Sequence, residues 1–204
     1  MTDSVDIQLF FLINRGTANQ LFDILMPLLS NRGFLLALPL LAFAGMSVAR
    51  SMRGTTHRIA LPLVLMPVVA FYIADRVNDL PKLLIARPRP CIALEGVRLL
   101  VRCPGSFSMP SGHAVASFAY AVSFWIVCRN VIAPGWRWFV LALAAAIAFS
   151  RIYIGVHYPA DIAVGTVLGC GIGWGAGILA VRISARICSP GATGNLPRKN
   201  DAES

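Results

Sequence analysis

The chain has 204 residues, 57% hydrophobic and only 13% charged, with a formal net charge of +9. Soluble domains run at about 45–50% apolar and about 25% charged, so disorder is excluded and a water-soluble globule has too little polar surface to cover it. In a soluble protein the basic excess would point to nucleic acid; in a membrane protein it marks loops flanking the spans, and no nucleic-acid partner is expected.

In chain order, residues 1–32 come first. Val5–Ile13 and Leu21–Leu29 are apolar but short, and Arg15, Gly16 and Asn19 separate them. They read as interfacial helices, a re-entrant element or a marginal sixth span. Asp3 and Asp6 stand where a secretory signal would carry basic residues. Uncharged runs follow at Gly33–Ala49, Ile59–Ala74, Gly112–Cys128, Trp138–Ser150 and Ile162–Val181. A spanning helix needs roughly 17–25 residues. The runs therefore predict five transmembrane helices near 33–50, 58–80, 112–129, 136–155 and 160–182. Without strand-like alternation, the fold class is an all-α polytopic bundle. The membrane domain covers 33–188, and the Gly-, Pro- and charge-rich stretch 189–204 is expected to be a disordered cytoplasmic tail.

The charges orient the bundle. Arg50, Arg53 and Arg58, then Arg129 and Arg137, then Arg182, Arg186, Arg198 and Lys199 fall on one side of a five-span topology, which the positive-inside rule makes cytoplasmic. The loops near 81–111 and 151–160 then share the extracytoplasmic face. The first breaks the rule, with Lys82, Arg87, Arg89, Arg98 and Arg102 against only Glu95. An anionic ligand would explain it. Cys91 and Cys103 lie in the same loop and read either as a disulfide of an oxidising compartment or as two free thiols. Cys128, Cys170 and Cys188 read as packing residues.

Three clusters on that face carry chemistry. Lys82 and Arg89 lie in the basic loop. Ser111, Gly112 and His113 open a span, where a helix N-terminus can receive an anion. Arg151, His157 and Asp161 bridge the last two spans. Arg suits phosphate oxygens because its fork is planar. A carboxylate bonded to one imidazole nitrogen frees the other as nucleophile or base. The bland alternatives are a helix cap, a local His–Asp hydrogen bond and interfacial arginine anchors.

Lys82, six residues, Arg89–Pro90; Pro110–Ser111–Gly112–His113; and Ser150–Arg151, five residues, His157, three residues, Asp161 resemble the tripartite signature of the type 2 phosphatidic-acid phosphatase family. That family shares its site with vanadium haloperoxidases and glucose-6-phosphatase. The resemblance implies a helical membrane bundle that acts on a membrane lipid phosphate. His157 would attack phosphorus and Asp161 would orient it. His113 would act as general acid and base, with Lys82, Arg89, Ser111, Gly112 and Arg151 holding the phosphate oxygens.

No acidic cluster suggests Mg²⁺, so no metal or cofactor is expected. Arg87, Glu95, Arg98 and Arg102 are candidates for head-group contact. Asp75 and Asp79 are candidates to pair with Arg76 and Lys82. Gly165, Gly169, Gly173 and Gly177 form a ridge suited to close helix packing. Two rival functions remain at this stage: a phosphotransferase passing phosphate to an alcohol, and a non-enzymatic anion transporter. Nothing in the sequence sets the oligomeric state.

Overall fold

A computed structural model describes residues 4–31, 33, 61–130 and 132–187. These contain eight helices and, among the described residues, no strand: α1 Val5–Asn14, α2 Gln20–Leu29, α3 Leu61–Val77, α4 Asp79–Ile85, α5 Pro90–Ala93, α6 Gly112–Val127, α7 Pro134–Tyr153 and α8 Pro159–Ile187. The expected span at 33–50 and the tail at 189–204 lie outside the described residues, as does Cys188. Of the described helices, α7 and α8 are long and apolar enough to cross a membrane. The 16 residues of α6 fall short of that length, so five crossings are not established.

The expected span 58–80 is broken. Pro81 has no N–H to donate to the carbonyl of Val77, and its ring crowds that turn. The helix therefore stops at Val77, and Asn78 links it to α4. Lys82 thus rides on a short separate helix that ends at Ala86, in left-handed backbone (φ 48°). Pro88 and Pro90 follow, with Pro90 opening α5 at a position where a missing N–H costs nothing.

The bundle core is the packing of α6 against α8, with α3 against both. Ala114, Ala116, Ala119 and Ala121 are buried on α6. The glycine ridge of α8 lies against its backbone: a Cβ on Gly169 would stand 2.4 Å from the Val115 carbonyl oxygen, and one on Gly173 2.4 Å from that of Ala119. Such backbone contacts cannot yield unless the helices part. Gly173→Ala is therefore expected to destabilise by about 1–3 kcal/mol. Gly171→Ala, where a Cβ meets nothing within 4 Å, is expected to be neutral or slightly stabilising. Thermal unfolding of the two variants in detergent checks the contrast.

The N-terminal helices cover the site-bearing end. Ser4 caps α1 by accepting from the Ile7 N–H, and Asn19 caps α2 by accepting from the Phe22 N–H. At ten residues and about 1.5 Å per residue, each is about 15 Å long, half of a hydrocarbon core. Phe10 of α1 is buried against Ile152 and Tyr158, and Met26 of α2 against Tyr153, Ile154 and Val156. Buried Asn14 ties them down: its amide donates to the carbonyls of Arg98 and Tyr153, at 2.8 and 2.7 Å, and its Oδ1 accepts from the Arg98 N–H. Asp23 accepts from the Tyr153 hydroxyl at 2.5 Å and pairs with Arg98. Arg98 also lies over the Tyr153 ring.

Candidate active site

The three sequence clusters come together at one end of the bundle. The turn between α7 and α8 builds the last of them. Gly155 holds φ +88°, and a Cβ there would meet the Arg98 carbonyl oxygen at 2.8 Å, so only glycine fits. The chain then folds back, and the N–H groups of Val156 and His157 both donate to the Arg151 carbonyl at 3.2 Å. Pro159 opens α8 and places Asp161 in its first turn.

His157 is 2% exposed and Asp161 fully buried. Nδ1 of His157 faces Oδ2 of Asp161 at 3.3 Å, and the same oxygen accepts from the Tyr158 N–H at 2.9 Å. On the other side of the ring, Nε2 lies 3.0 Å from Nη1 of Arg89. A guanidinium can only donate, so Nε2 is the unprotonated nitrogen and the ring proton sits on Nδ1, toward the carboxylate. Burial pushes the His157 pKa well below the usual histidine value, and the charges of Arg89, Arg151 and Lys82 push it further. The imidazole is neutral at neutral pH, with one lone pair aimed away from Asp161.

Arg89 is itself buried. Its Nε donates to the Ser106 carbonyl at 2.6 Å, Nη2 to the Ser106 hydroxyl at 3.0 Å, and Nη1 to the Val156 carbonyl at 2.9 Å. Burial lowers its pKa to about 10, still charged at neutral pH. A disulfide joins Cys91 to Cys103, tying α5 to the loop that supplies Ser106 and resolving the two readings of that pair.

Ser111 stands at the N-cap of α6 in extended backbone, as its position suggests, but its hydroxyl makes no capping bond. The first-turn N–H groups of α6 are left without a side-chain cap. The Ser111 N–H donates to the Asp161 carbonyl at 3.1 Å, which joins the second cluster to the third. Gly112 joins the second to the first: a Cβ on it would lie 2.9 Å from Nδ2 of Asn78 and 3.7 Å from Nζ of Lys82. His113 Nε2 lies 3.0 Å from the Ser30 carbonyl, which also accepts from Arg151 at 3.3 Å. Arg151 additionally donates to the Ser30 hydroxyl.

Several buried polar atoms here lack a partner among the described residues: Ser111 Oγ, Arg151 Nε and both amide atoms of Asn78. Native interiors rarely tolerate such groups. Together with Lys82 and Arg89, the Ser111 hydroxyl, Arg151 Nε and Asn78 Nδ2 form a set of donors beside a neutral imidazole, an arrangement able to hold a tetrahedral oxyanion and to attack it.

The remaining candidates divide: Arg87 finds carboxylate partners, and Lys82 stands beside Asp79 as expected. Arg87 pairs with Asp161 and Asp6. Lys82 stands 4.0 Å from Asp79, which is largely exposed, so that pair is weak. Asn78, Ser30, Ser106 and Asp6 are absent from the sequence signature, and only the folded chain brings them to the site.

Comparison with known proteins agrees with this architecture. The profile of the PAP2 superfamily matches residues 59–184. An undecaprenyl-diphosphatase of Sulfolobus acidocaldarius is 33% identical over 115 residues, covering 56% of this chain and 52% of that protein. A lipid A 4'-phosphatase of Bacteroides thetaiotaomicron is 30% identical over 141 residues, covering 65% and 60%. The chain thus spans a little over half the length of these curated relatives. The crystal structure of Aquifex aeolicus LpxE superposes with a TM-score of 0.60 at 25% identity, covering 88% of this chain and 96% of that one.

Proposed function

Since the chain belongs to the PAP2 superfamily, we propose that it is an integral membrane lipid phosphatase, hydrolysing a phosphate monoester or diphosphate of a membrane lipid through a phosphohistidine. The observation that carries this reading is the neutral, buried His157, its Nδ1 on Asp161 and its Nε2 facing Arg89.

Nε2 attacks phosphorus, and the bond to the leaving oxygen breaks. That oxygen takes the electron pair and a proton from the His113 ring. Water then attacks the phosphohistidine and gives its proton to His113. The P–N bond breaks, releasing phosphate and neutral His157. Lys82, Arg89, Arg151, Ser111 and the Gly112 N–H hold the equatorial oxygens, and Asp161 balances the charge that develops on His157. Three fixed cations supply the charge neutralisation, so turnover is metal-independent.

A lipid substrate is favoured by the surface next to Lys82. Leu83 and Leu84 are 67% and 77% exposed, apolar area that water would penalise and a bilayer would not. The opposite end of the bundle carries Arg129, Arg137, Arg182 and Arg186. By the positive-inside rule the site then faces the extracytoplasmic side of the cytoplasmic membrane. Within the lipid class, relatives named for polyprenyl and lipid A phosphates favour a polyprenyl diphosphate or a glycerolipid phosphate over a soluble ester.

The test is inorganic phosphate release by purified protein in detergent, with EDTA present, from a polyprenyl diphosphate, phosphatidic acid, phosphatidylglycerol phosphate and a water-soluble phosphate ester. Release from lipid phosphates far exceeding that from the soluble ester is expected. Phosphate passed to an alcohol instead of water would make the protein a transferase. Activity lost in EDTA and restored by Mg²⁺ would overturn metal independence.

A further inference from the structure

We propose that Asp6 and Arg87 are positioning residues of the phosphoryl-transfer site, holding the Asp161 carboxylate against His157 and so making α1 part of the catalytic architecture. The proposal rests on the phosphatase reading above.

Asp161 is fully buried, and a buried carboxylate remains ionised only when it is paired and hydrogen-bonded. Its Oδ2 is taken by His157 and the Tyr158 N–H. Its Oδ1 accepts from Nη1 of Arg87 at 2.8 Å, the one direct bond to a permanent cation that Asp161 makes among the described residues. Arg87 in turn is fixed from outside. Nη2 donates to Oδ2 of Asp6 at 2.5 Å, and the guanidinium lies over the Tyr158 ring, 3.9 Å from its centroid. The second oxygen of Asp6 accepts from the Ala160 N–H at 2.8 Å, so Asp6 also grips the backbone beside Asp161.

The result is a chain of contacts, Asp6 to Arg87 to Asp161 to His157, that runs from the N-terminal helix to the attacking ring. It sets the plane of the Asp161 carboxylate and keeps it charged, which fixes the Nδ1–H tautomer of His157. Both terminal nitrogens of Arg87 are occupied by carboxylates. It therefore serves the nucleophile and leaves phosphate to Lys82, Arg89 and Arg151.

Arg87→Gln, Asp6→Asn, their double variant and Arg87→Lys test this by steady-state kinetics on a lipid phosphate turned over by the unmodified protein. Loss of an outer partner of a working histidine costs about 10–100-fold. We expect kcat to fall toward the upper end of that range in Arg87→Gln and toward the lower end in Asp6→Asn, with KM unchanged. The double variant should fall no further than Arg87→Gln alone, because Asp6 acts through Arg87. Arg87→Lys should recover part of kcat. Asp6→Asn is isosteric and retains an oxygen for Ala160, so it tests the chain even if an Arg87 variant folds poorly. A raised KM with unchanged kcat would make Arg87 a head-group ligand and overturn the proposal. Losses that multiply in the double variant would also overturn it. An unmodified protein inactive on every lipid phosphate would overturn the phosphatase reading, and this one with it.

Discussion

His157→Ala is expected to abolish phosphate release, with a loss in kcat of at least ~10⁴-fold, the scale seen when a nucleophile is deleted from a working site. The reason is geometric. His157 presents an unprotonated nitrogen to Arg89, with the charges of Arg151 and Lys82 acting on the ring, and its other nitrogen is held by Asp161. His113 turns its Nε2 to the Ser30 carbonyl, so it does not substitute. The ring of His157 is buried and also bonds the Ser108 backbone, but after its removal Asp161 keeps Arg87 and the Tyr158 N–H. The variant should fold, as size-exclusion and thermal unfolding in detergent would show. Unchanged turnover would reassign the nucleophile.

Arg89→Ala should have the next largest effect, and on two quantities at once. Arg89 donates to two carbonyls and a hydroxyl as well as facing His157. Its loss strands buried acceptors, at about 1–3 kcal/mol each. It also removes a preorganised charge from the phosphate site, at about 10²–10³-fold in rate. The pH profile should move as well. Burial is the first cause of the depressed His157 pKa and the charge of Arg89 the second. Without that charge the imidazole protonates more readily, so the acid limb of kcat/KM shifts to higher pH. Arg89→Lys keeps a charge but cannot span Ser106 and Val156 together, and should fall between. An acid limb that stays in place would separate Arg89 from His157.

The candidate site was legible because its residues violate the local rules of a membrane chain. Cations clustered in one loop and histidines beside apolar runs have few bland explanations, and their spacing matches a known signature. The helices around them were equally plain in α6, α7 and α8, where uncharged runs coincide with the folded segments to within a few residues at each end. What escaped depends on contacts between distant positions. Asp6 reaches Ala160, and Ser30 reaches both His113 and Arg151, across 83 to 154 positions of sequence. No periodicity or hydropathy marks such a meeting. The break at Asn78 is different: hydropathy runs through it, but Pro81 announces it, and a reading that weighed the missing N–H against the apolar run would have found it. Arg87 is legible as a cation and as one candidate for head-group contact. Only the fold reveals that two carboxylates already claim it.

The central claim is a covalent phosphate on His157, and rapid acid-free quenching of the protein with a ³²P-labelled lipid phosphate tests it most directly. The expected label is alkali-stable and acid-labile, maps to the peptide bearing His157, and is absent from His157→Ala. Turnover with no covalent label, or label on another residue, would contradict it.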